Sequence, residues 1–262
     1  DVVYQVTSIG YHAFEDCTDL VRVSIPDSVC KIDESAFINC PHLLYYSHGD
    51  CLYLGNTDNP FLWFMTAKNA DITEVKVHPK TKFIFKFGRC KNVKSISISK
   101  NVVDIDREAF ETCSELQSIV VDSGNTIYKS VDGVLYKGNE LLHCPRKKDG
   151  ILEVIHGTER ILENAIGGVV YIEYKRDDDV EGMLIDMGID GEYRGCGCEN
   201  ITEIQLPNSL KEIGQYAFAG CTALQKINIP PSVEGISSEI FKGCTVLKNI
   251  ICAGVSCDIN SN

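Results

Sequence analysis

A frame of 23 residues recurs along the chain and constrains its fold more than any other feature. Five segments place isoleucine, phenylalanine and cysteine at the same steps: IGYHAFEDC (9–17), IDESAFINC (32–40), IDREAFETC (105–113), IGQYAFAGC (213–221) and ISSEIFKGC (236–244). Leucine follows each cysteine after three positions, and in most copies apolar residues follow at six and eight. Their alternation with polar residues has the period of a half-buried strand. Such copies predict a repeat solenoid, because stacked neighbours bury apolar faces that no single repeat could bury.

Degenerate copies and insertions fill the remaining sequence. Copies at 84–98 and 161–206 bring the count to seven, and the second is split by the 29 residues 169–197, whose removal restores an ordinary repeat. Two further insertions, 47–69 and 129–150, share an apolar-tyrosine strand and a Gly-Asn turn. These two insertions predict β-hairpins laid against the solenoid.

The strand pattern Cys-x-x-Leu-x-x-Ile-x-Ile-Pro resembles the BspA-like leucine-rich repeats. The resemblance is carried by IGYHAFEDCTDLVRVSIPDSV (9–29) and IGQYAFAGCTALQKINIPPSV (213–233), and the DGVLYKGNELL hairpin (132–142) is also typical of that family. It implies a leucine-rich-repeat horseshoe, with a curved sheet on one side and turns or short helical or 3-10 segments on the other. We therefore predict a single solenoid domain spanning residues 1–262.

The recurrent cysteine is interpreted as structural. Free cysteine behaves as a small, well-buried hydrophobe, and the neighbouring columns of isoleucine, alanine, phenylalanine and leucine are apolar. Disulfides between stacked cysteines are the alternative. The predicted column consists of Cys17, Cys40, Cys90, Cys113, Cys198, Cys221 and Cys244.

No constellation in the sequence points to catalysis or to a bound metal. The nucleophile elbow, the Walker loop, HExxH and GxGxxG are absent, and the six histidines are scattered. The cysteines outside the column do not form the two close ligand pairs of a zinc site. The segment 186–191 resembles the start of a calcium loop, but Gly197 stands where the loop needs a bidentate glutamate. We therefore expect a non-enzyme without cofactor or metal; a composite active site under the insertion is unsupported.

Charge and hydropathy restrict the partners. The chain has 25 basic and 37 acidic residues, a net charge of −12, which disfavours nucleic acid. No apolar run approaches the length of a membrane-spanning helix. The first residues, DVVYQVTSIG, do not read as an export signal, although a mature chain would have lost one.

The outward face of the repeat strands is the predicted binding surface. Solenoids use such extended surfaces to bind partners, and here the outward positions are small, polar and mixed in charge. A protein or glycan ligand fits this composition, and a merely soluble surface is the alternative. The candidate residues are Arg22, Ser24, Tyr45, Ser95, Ser97, Ser118, Glu203, Gln205, Lys226 and Asn228.

Two other segments are candidates for specific contacts. The insertion 169–197 begins as a strand over 169–174 and is interpreted as a solvated hairpin or a partner-binding loop. The aromatic run 61–64 suggests a carbohydrate-stacking platform, although covering the inner face of a hairpin is the preferred interpretation. The charged tip of the insertion comprises Tyr174, Lys175, Arg176, Asp177, Asp178 and Asp179.

These observations predict a non-catalytic protein- or glycan-binding module. The family resemblance implies a secreted or cell-surface protein of a mucosal microbe, active in adhesion or host interaction. The alternative is an intracellular protein-interaction scaffold, which would be favoured if all the thiols are reduced.

Overall fold

The structure is a computed structural model that describes residues 5–33, 35–88, 90–173, 191–195 and 197–252. The chain forms two compact units, Asp1–Gly138 and Asn139–Asn262. Each unit is described by itself, and the single-domain assignment stays a prediction.

The first unit contains twelve strands among its described residues. They are β1 (Ser8–Ile9), β2 (Lys31–Ile32), β3 (Tyr46–His48), β4 (Cys51–Leu54), β5 (Trp63–Ala67), β6 (Glu74–Lys76), β7 (Phe83–Gly88), β8 (Ser95–Ile98), β9 (Asp104–Ile105), β10 (Ser118–Val121), β11 (Tyr128–Val131) and β12 (Val134–Lys137).

These strands form parallel ladders joined to antiparallel hairpins. Strands β6, β8 and β10 make one parallel sheet. Strands β5, β7 and β9 make a second parallel ladder, to which β3 and β4 add an antiparallel meander. The pair β1–β2 is parallel, and β11–β12 is an antiparallel hairpin.

The second unit contains ten strands among its described residues. They are β13 (Glu140–His143), β14 (Asp149–Glu153), β15 (Arg160–Ile161), β16 (Val169–Glu173), β17 (Gly191–Gly195), β18 (Asn200–Gln205), β19 (Glu212–Ile213), β20 (Lys226–Ile229), β21 (Gly235–Ile236) and β22 (Asn249–Cys252).

Two parallel ladders and one hairpin organise the second unit. One ladder runs β14-β18-β20-β22 and the other β13-β15-β19-β21. Ile204, Ile227 and Ile250 pair in register on neighbouring strands. Residues 23 apart in the sequence therefore lie side by side in the ladder. Strands β16 and β17 form the antiparallel hairpin of the insertion.

The predicted repeat solenoid with β-hairpins is confirmed. The described residues consist of strands and turns, without a helix. Turns rather than helical segments therefore connect the two ladders of each unit.

Identical side chains stack in the core of each unit. Phe14 lies on Phe37 with ring centroids 5.2 Å apart, and Phe218 lies on Phe241 at 5.6 Å. The alanine before the phenylalanine is fully buried in three of the copies, at Ala36, Ala109 and Ala217. Each stacked apolar column removes from water the face that one repeat alone would expose.

In several repeats the turn between isoleucine and cysteine has left-handed backbone at two steps. His12, Tyr216 and Glu239, three residues after the isoleucine, have φ between 53° and 57°. The residue before the cysteine is also left-handed, as at Asp16 (57°), Asn39 (56°), Gly220 (75°) and Gly243 (76°). Non-glycine residues adopt this conformation at a cost.

Hydrogen bonds between successive turns offset that cost. The Phe14 N–H donates to the Ala36 carbonyl at 2.8 Å, and the Phe218 N–H donates to the Ile240 carbonyl at 3.0 Å. The Gly220 N–H donates to the Lys242 carbonyl at 2.7 Å. These N–H groups point along the stack, where carbonyls of the next repeat accept their hydrogen bonds.

Each of the first two hairpins precedes a strand that begins a parallel ladder. Strand β6 follows the β3–β5 meander, and Val75 pairs in register with Ile96. Strand β14 follows β13 in the same way and pairs with β18. Each of these ladders therefore starts directly after a hairpin.

The two ends of the insertion in the second unit are tightly packed against each other and against Ala219. A Cβ atom on Gly167 would lie 2.2 Å from the Ala219 nitrogen, and one on Gly197 would lie 2.3 Å from the Ala219 oxygen and 3.0 Å from the Gly167 Cα. The two ends of the insertion are thus adjacent, as expected for a segment whose removal restores a repeat.

Gly214→Ala is expected to destabilise the protein, whereas Gly10→Ala is not. Both glycines follow the repeat isoleucine, but a Cβ on Gly214 would lie 2.4 Å from the Glu163 nitrogen, while nothing lies within 4 Å of one on Gly10. We expect a loss of about 1–3 kcal/mol in the free energy of unfolding for Gly214→Ala and a change within roughly 0.5 kcal/mol for Gly10→Ala. Chemical denaturation measures both; equal losses would contradict this account of repeat stacking.

Candidate functional site

The outward face of β14-β18-β20-β22 forms an ordered grid in the second unit. Because the ladder is parallel and in register, residues two apart on each strand point to the same face. The buried side chains of Leu152, Ile204 and Ile227 point inward between these positions. The outward rows are Ile151, Glu203, Lys226 and Asn249, then Glu153, Gln205, Asn228 and Ile251.

The centre of this grid is held by polar contacts. The Lys226 Nζ lies 3.8 Å from the Glu203 Oε1, and the Gln205 Nε2 donates to the same oxygen at 3.3 Å. Ile151 and Ile251, on the two outer strands, are each 51% exposed. The face therefore combines a charged, hydrogen-bonding centre with apolar positions at its sides. A protein surface can meet both kinds of group.

The structure brings four predicted residues together here. Glu203 and Gln205 lie on β18, and Lys226 and Asn228 lie beside them on β20. Sequence analysis missed Ile151 and Glu153, because Cys144, which precedes β14 and contacts Cys198, is followed after three positions by Lys147 instead of leucine. The alternation in ILEVI (151–155) was the signal that could have identified this strand.

Three predicted serines lie on the corresponding face of the first unit. Ser95 and Ser97 are half-buried on β8, and Ser95 pairs with Ser118 on β10. Glu74 and Lys76 of β6, which the sequence analysis missed, extend this face, with Lys76 Nζ 3.6 Å from Glu74 Oε1.

The second hairpin covers part of the β10 edge. The Ile119 N–H donates to the Gly133 carbonyl at 2.9 Å. A Cβ on Gly133 would lie 3.1 Å from the Ser118 Oγ. Ser118 is therefore partly shielded from a ligand on this face.

The first two repeats depart from the predicted strand geometry. Arg22 and Ser24 are exposed, as expected, but lie outside any strand. Tyr45 was predicted to point outward, and this is wrong, because its ring packs on the cluster that contains Ile25 and Val29. Burial correspondingly raises the pKa of Tyr45. Tyr46 is 43% exposed instead, since it begins β3 and pairs with β4 of the hairpin.

Other candidate segments have different outcomes. In the aromatic run, Leu62, Trp63 and Phe64 are at most 4% exposed, so they cover the inner face of the hairpin and offer no carbohydrate platform. The calcium-loop candidate over 186–190 lies outside the described residues. So do the predicted tip residues Tyr174, Lys175, Arg176, Asp177, Asp178 and Asp179.

The cysteine column is built into the core where neighbouring repeats enclose it. Cys113, Cys198 and Cys221 are at most 1% exposed. The Cys40 Sγ donates to the Phe14 carbonyl at 3.0 Å, and the Cys244 Sγ donates to the Phe218 carbonyl at 3.1 Å, which is the same contact in two repeats.

The protonation of these thiols follows their surroundings. Burial raises the pKa of Cys244 to about 11 and that of Cys221 well above its ordinary value. A hydrogen bond from Cys113 instead lowers the pKa of Cys90. None of the seven column members, all of them described, forms a disulfide. Their contacts explain the recurrence of cysteine without any reaction chemistry.

Thiol labelling should separate the column by position. We expect Cys17 and Cys30, which are exposed, to react rapidly with a maleimide, and Cys198 and Cys221 to react at least about tenfold more slowly because they are enclosed and protonated. Pulse labelling of the native chain, followed by peptide mass spectrometry, measures the rates. Labelling in denaturant is the control, and a native Cys221 rate equal to that of Cys17 would contradict the buried-column assignment.

The described residues contain no group of three or more histidine, cysteine or acidic side chains arranged to hold a metal ion. Within the same residues, no helix has the length and apolar character to cross a membrane.

Comparison with known proteins agrees with this architecture. The family model for the BspA type leucine rich repeat region matches in six copies, over residues 2–53, 67–133 and 191–262. The chain therefore belongs to the BspA-type leucine-rich-repeat family. No curated protein matches it.

Solved structures of bacterial leucine-rich-repeat proteins are similar to the chain. A leucine-rich repeat protein from Eubacterium ventriosum is 21% identical with a TM-score of 0.57; the match covers 95% of this chain and 58% of that protein, so this chain spans little more than half of it. A leucine rich cell surface protein from Faecalibacterium prausnitzii is 21% identical (TM-score 0.42, 96% and 78% covered). The pneumococcal vaccine antigen PcpA is 17% identical (TM-score 0.41, 96% and 75% covered).

Proposed function

We propose that this chain is a non-catalytic binding module whose ligand, a protein or a glycan, docks on the outward face of β14-β18-β20-β22. The observation that carries the proposal is the grid itself, in which eight side chains are presented in register on one sheet. A leucine-rich-repeat family supports protein binding in particular. Extended repeat surfaces serve this purpose because they place many side chains at fixed spacing.

The chemistry of the grid supports a macromolecular ligand. Lys226 and Glu203 present charges of both signs, which suits a protein surface better than a phosphate backbone. Ile151 and Ile251 supply apolar area that a partner could bury. We further propose that the module belongs to a secreted or cell-surface protein and acts in adhesion or host contact, as its family suggests.

An intracellular scaffold is the second candidate; the exposed free thiols favour it, whereas the disulfide bond of Cys252 favours an oxidising compartment. Cys17 and Cys30 are exposed and unpaired in the structure. Oxidising compartments convert accessible thiols into disulfides or other oxidised forms, whereas a reducing cytosol preserves them. Both candidates use the same binding face and differ in where the ligand is found.

The proposal predicts that Lys226→Glu impairs ligand binding. The substitution removes a charge at the centre of the grid and places a second carboxylate beside Glu203. We expect affinity to fall by about tenfold or more for a ligand that contacts this position. The measurement is binding of the purified chain to arrayed extracellular-matrix proteins, mucins and glycans, followed by titration of each positive.

Lys211→Glu is the matched control. Lys211 lies just before β19 of the other ladder, its side chain is 52% exposed against 51% for Lys226, and it pairs with Glu159 at 3.0 Å. Equal loss in both variants would refute a site on the grid. A chain lacking residues 169–197 tests the insertion: loss of binding only in that chain would move the site there. If the chain binds nothing on the array, the intracellular scaffold is favoured. Its binding to cytosolic proteins is then measured.

A further inference from the structure

Two imidazoles meet at the edge of the first hairpin in the first unit. His48 ends the edge strand β3, and its ring lies 4.6 Å from that of His78, in edge-to-face contact. Phe61 packs against both rings, 3.9 Å from His78 and 5.8 Å from His48. This cluster of His48, Phe61 and His78 joins β3 to the turn that follows β6.

The hydrogen bonds of His78 require its neutral form. The Lys80 N–H donates to the His78 Nδ1 at 3.1 Å, so this nitrogen acts as an acceptor. A protonated imidazole has donors on both nitrogens and cannot accept that bond. Protonation of His78 therefore breaks the contact between its ring and the Lys80 backbone.

Other contacts fix His78 in this position. Its backbone N–H donates to the Tyr53 hydroxyl at 3.2 Å, and its carbonyl accepts from the Thr81 N–H at 2.9 Å. The Thr81 Oγ donates to the Phe61 carbonyl at 2.8 Å. These bonds fix the backbone of the 78–81 turn, and the bond from the Lys80 N–H to Nδ1 holds the ring beside His48.

The surroundings of His78 disfavour positive charge. Burial lowers its pKa, and the neighbouring His48 and Lys80 lower it further. The other titratable group in contact is Tyr53 of β4, whose pKa burial raises, so it stays a neutral phenol. None of these groups supplies a negative charge to stabilise an imidazolium.

Strand β3 depends on few contacts. It has three residues, all exposed, and pairs on one side with β4. A short edge strand of this kind opens more readily than the buried strands beside it. The contact of His48 with the ring cluster is therefore a substantial part of what holds β3 in place.

We propose that His48 and His78 form an acid-sensitive latch, which holds β3 against the 78–81 turn at neutral pH and releases it in acid. A histidine with a lowered pKa in the closed state binds fewer protons there than in the open state. Stability of the closed state is therefore full above the ordinary histidine pKa of about 6.5 and declines as pH falls below it. Two imidazolium rings at this separation repel each other and add to the release.

The test combines histidine titration with hydrogen exchange on the full chain. NMR titration of the imidazole C–H signals compares the unaltered chain with His48→Gln, and the exchange of β3 amides is measured at pH 7.5 and pH 5 with correction for intrinsic rates. We expect the His78 midpoint to rise by roughly half a pH unit or more in His48→Gln, since a like charge has been removed. In the unaltered chain β3 exchange should accelerate about tenfold in acid, and His48→Gln should reduce this acceleration.

His42→Gln is the matched control, because His42 is an exposed histidine of the same unit. It should leave both the His78 midpoint and β3 exchange unchanged. His48 is itself exposed, so His48→Gln is expected to fold normally. A His78 midpoint unmoved by His48→Gln, or β3 exchange equal at the two pH values, would overturn the latch. Neither result depends on ligand binding to the grid.

Discussion

The hydrogen bond from one turn to the next is the interaction on which both units depend. The Phe14 N–H bonded to Ala36 and the Phe218 N–H bonded to Ile240 are the same contact in different repeats. In the turn of Phe218 this contact accompanies a left-handed backbone at Tyr216 that is unfavourable in isolation. A single repeat would leave these donors unsatisfied along with its apolar face, so local geometry and stacking stabilise each other. The columns of alanine, phenylalanine and cysteine then follow as the side chains that fit beside such a turn.

Much of this arrangement could be predicted from the sequence, because each position of the repeat recurs in several copies. The inward side chains at Ile204 and Ile227 and the outward pair Glu203 and Lys226 followed from simple alternation. The prediction for Tyr45 was wrong because β3 follows at once and turns the chain into a hairpin, so the alternation changes by one residue. Ile151 was missed for a related reason: Cys144 precedes its strand, but Lys147 stands where the repeat has leucine. Both errors lie next to an insertion, whose strand pairing changes the local register. The repeat pattern alone does not predict that pairing.

Residues that attract attention as chemical groups have mechanical roles in this protein. The enclosed thiol of Cys244 donates to a backbone carbonyl, and the aromatic run around Trp63 fills a core, with the Trp63 and Phe83 rings 4.4 Å apart. What distinguishes the outward surface is position, since side chains of ordinary chemistry are held at regular spacing. At a binding surface of this kind a few well-placed side chains carry most of the binding energy.

The attachment of the hairpins has a consequence for how such chains diversify. Strands β6 and β14 each begin a parallel ladder directly after a hairpin, so each ladder tolerates a hairpin before its first strand. The ends of the third insertion, at Gly167 and Gly197, also lie next to each other. Lengthening a connection whose ends stay close together costs little conformational entropy. Recombination could therefore exchange whole hairpins between related genes as cassettes, changing the exterior of the protein while its scaffold is inherited intact.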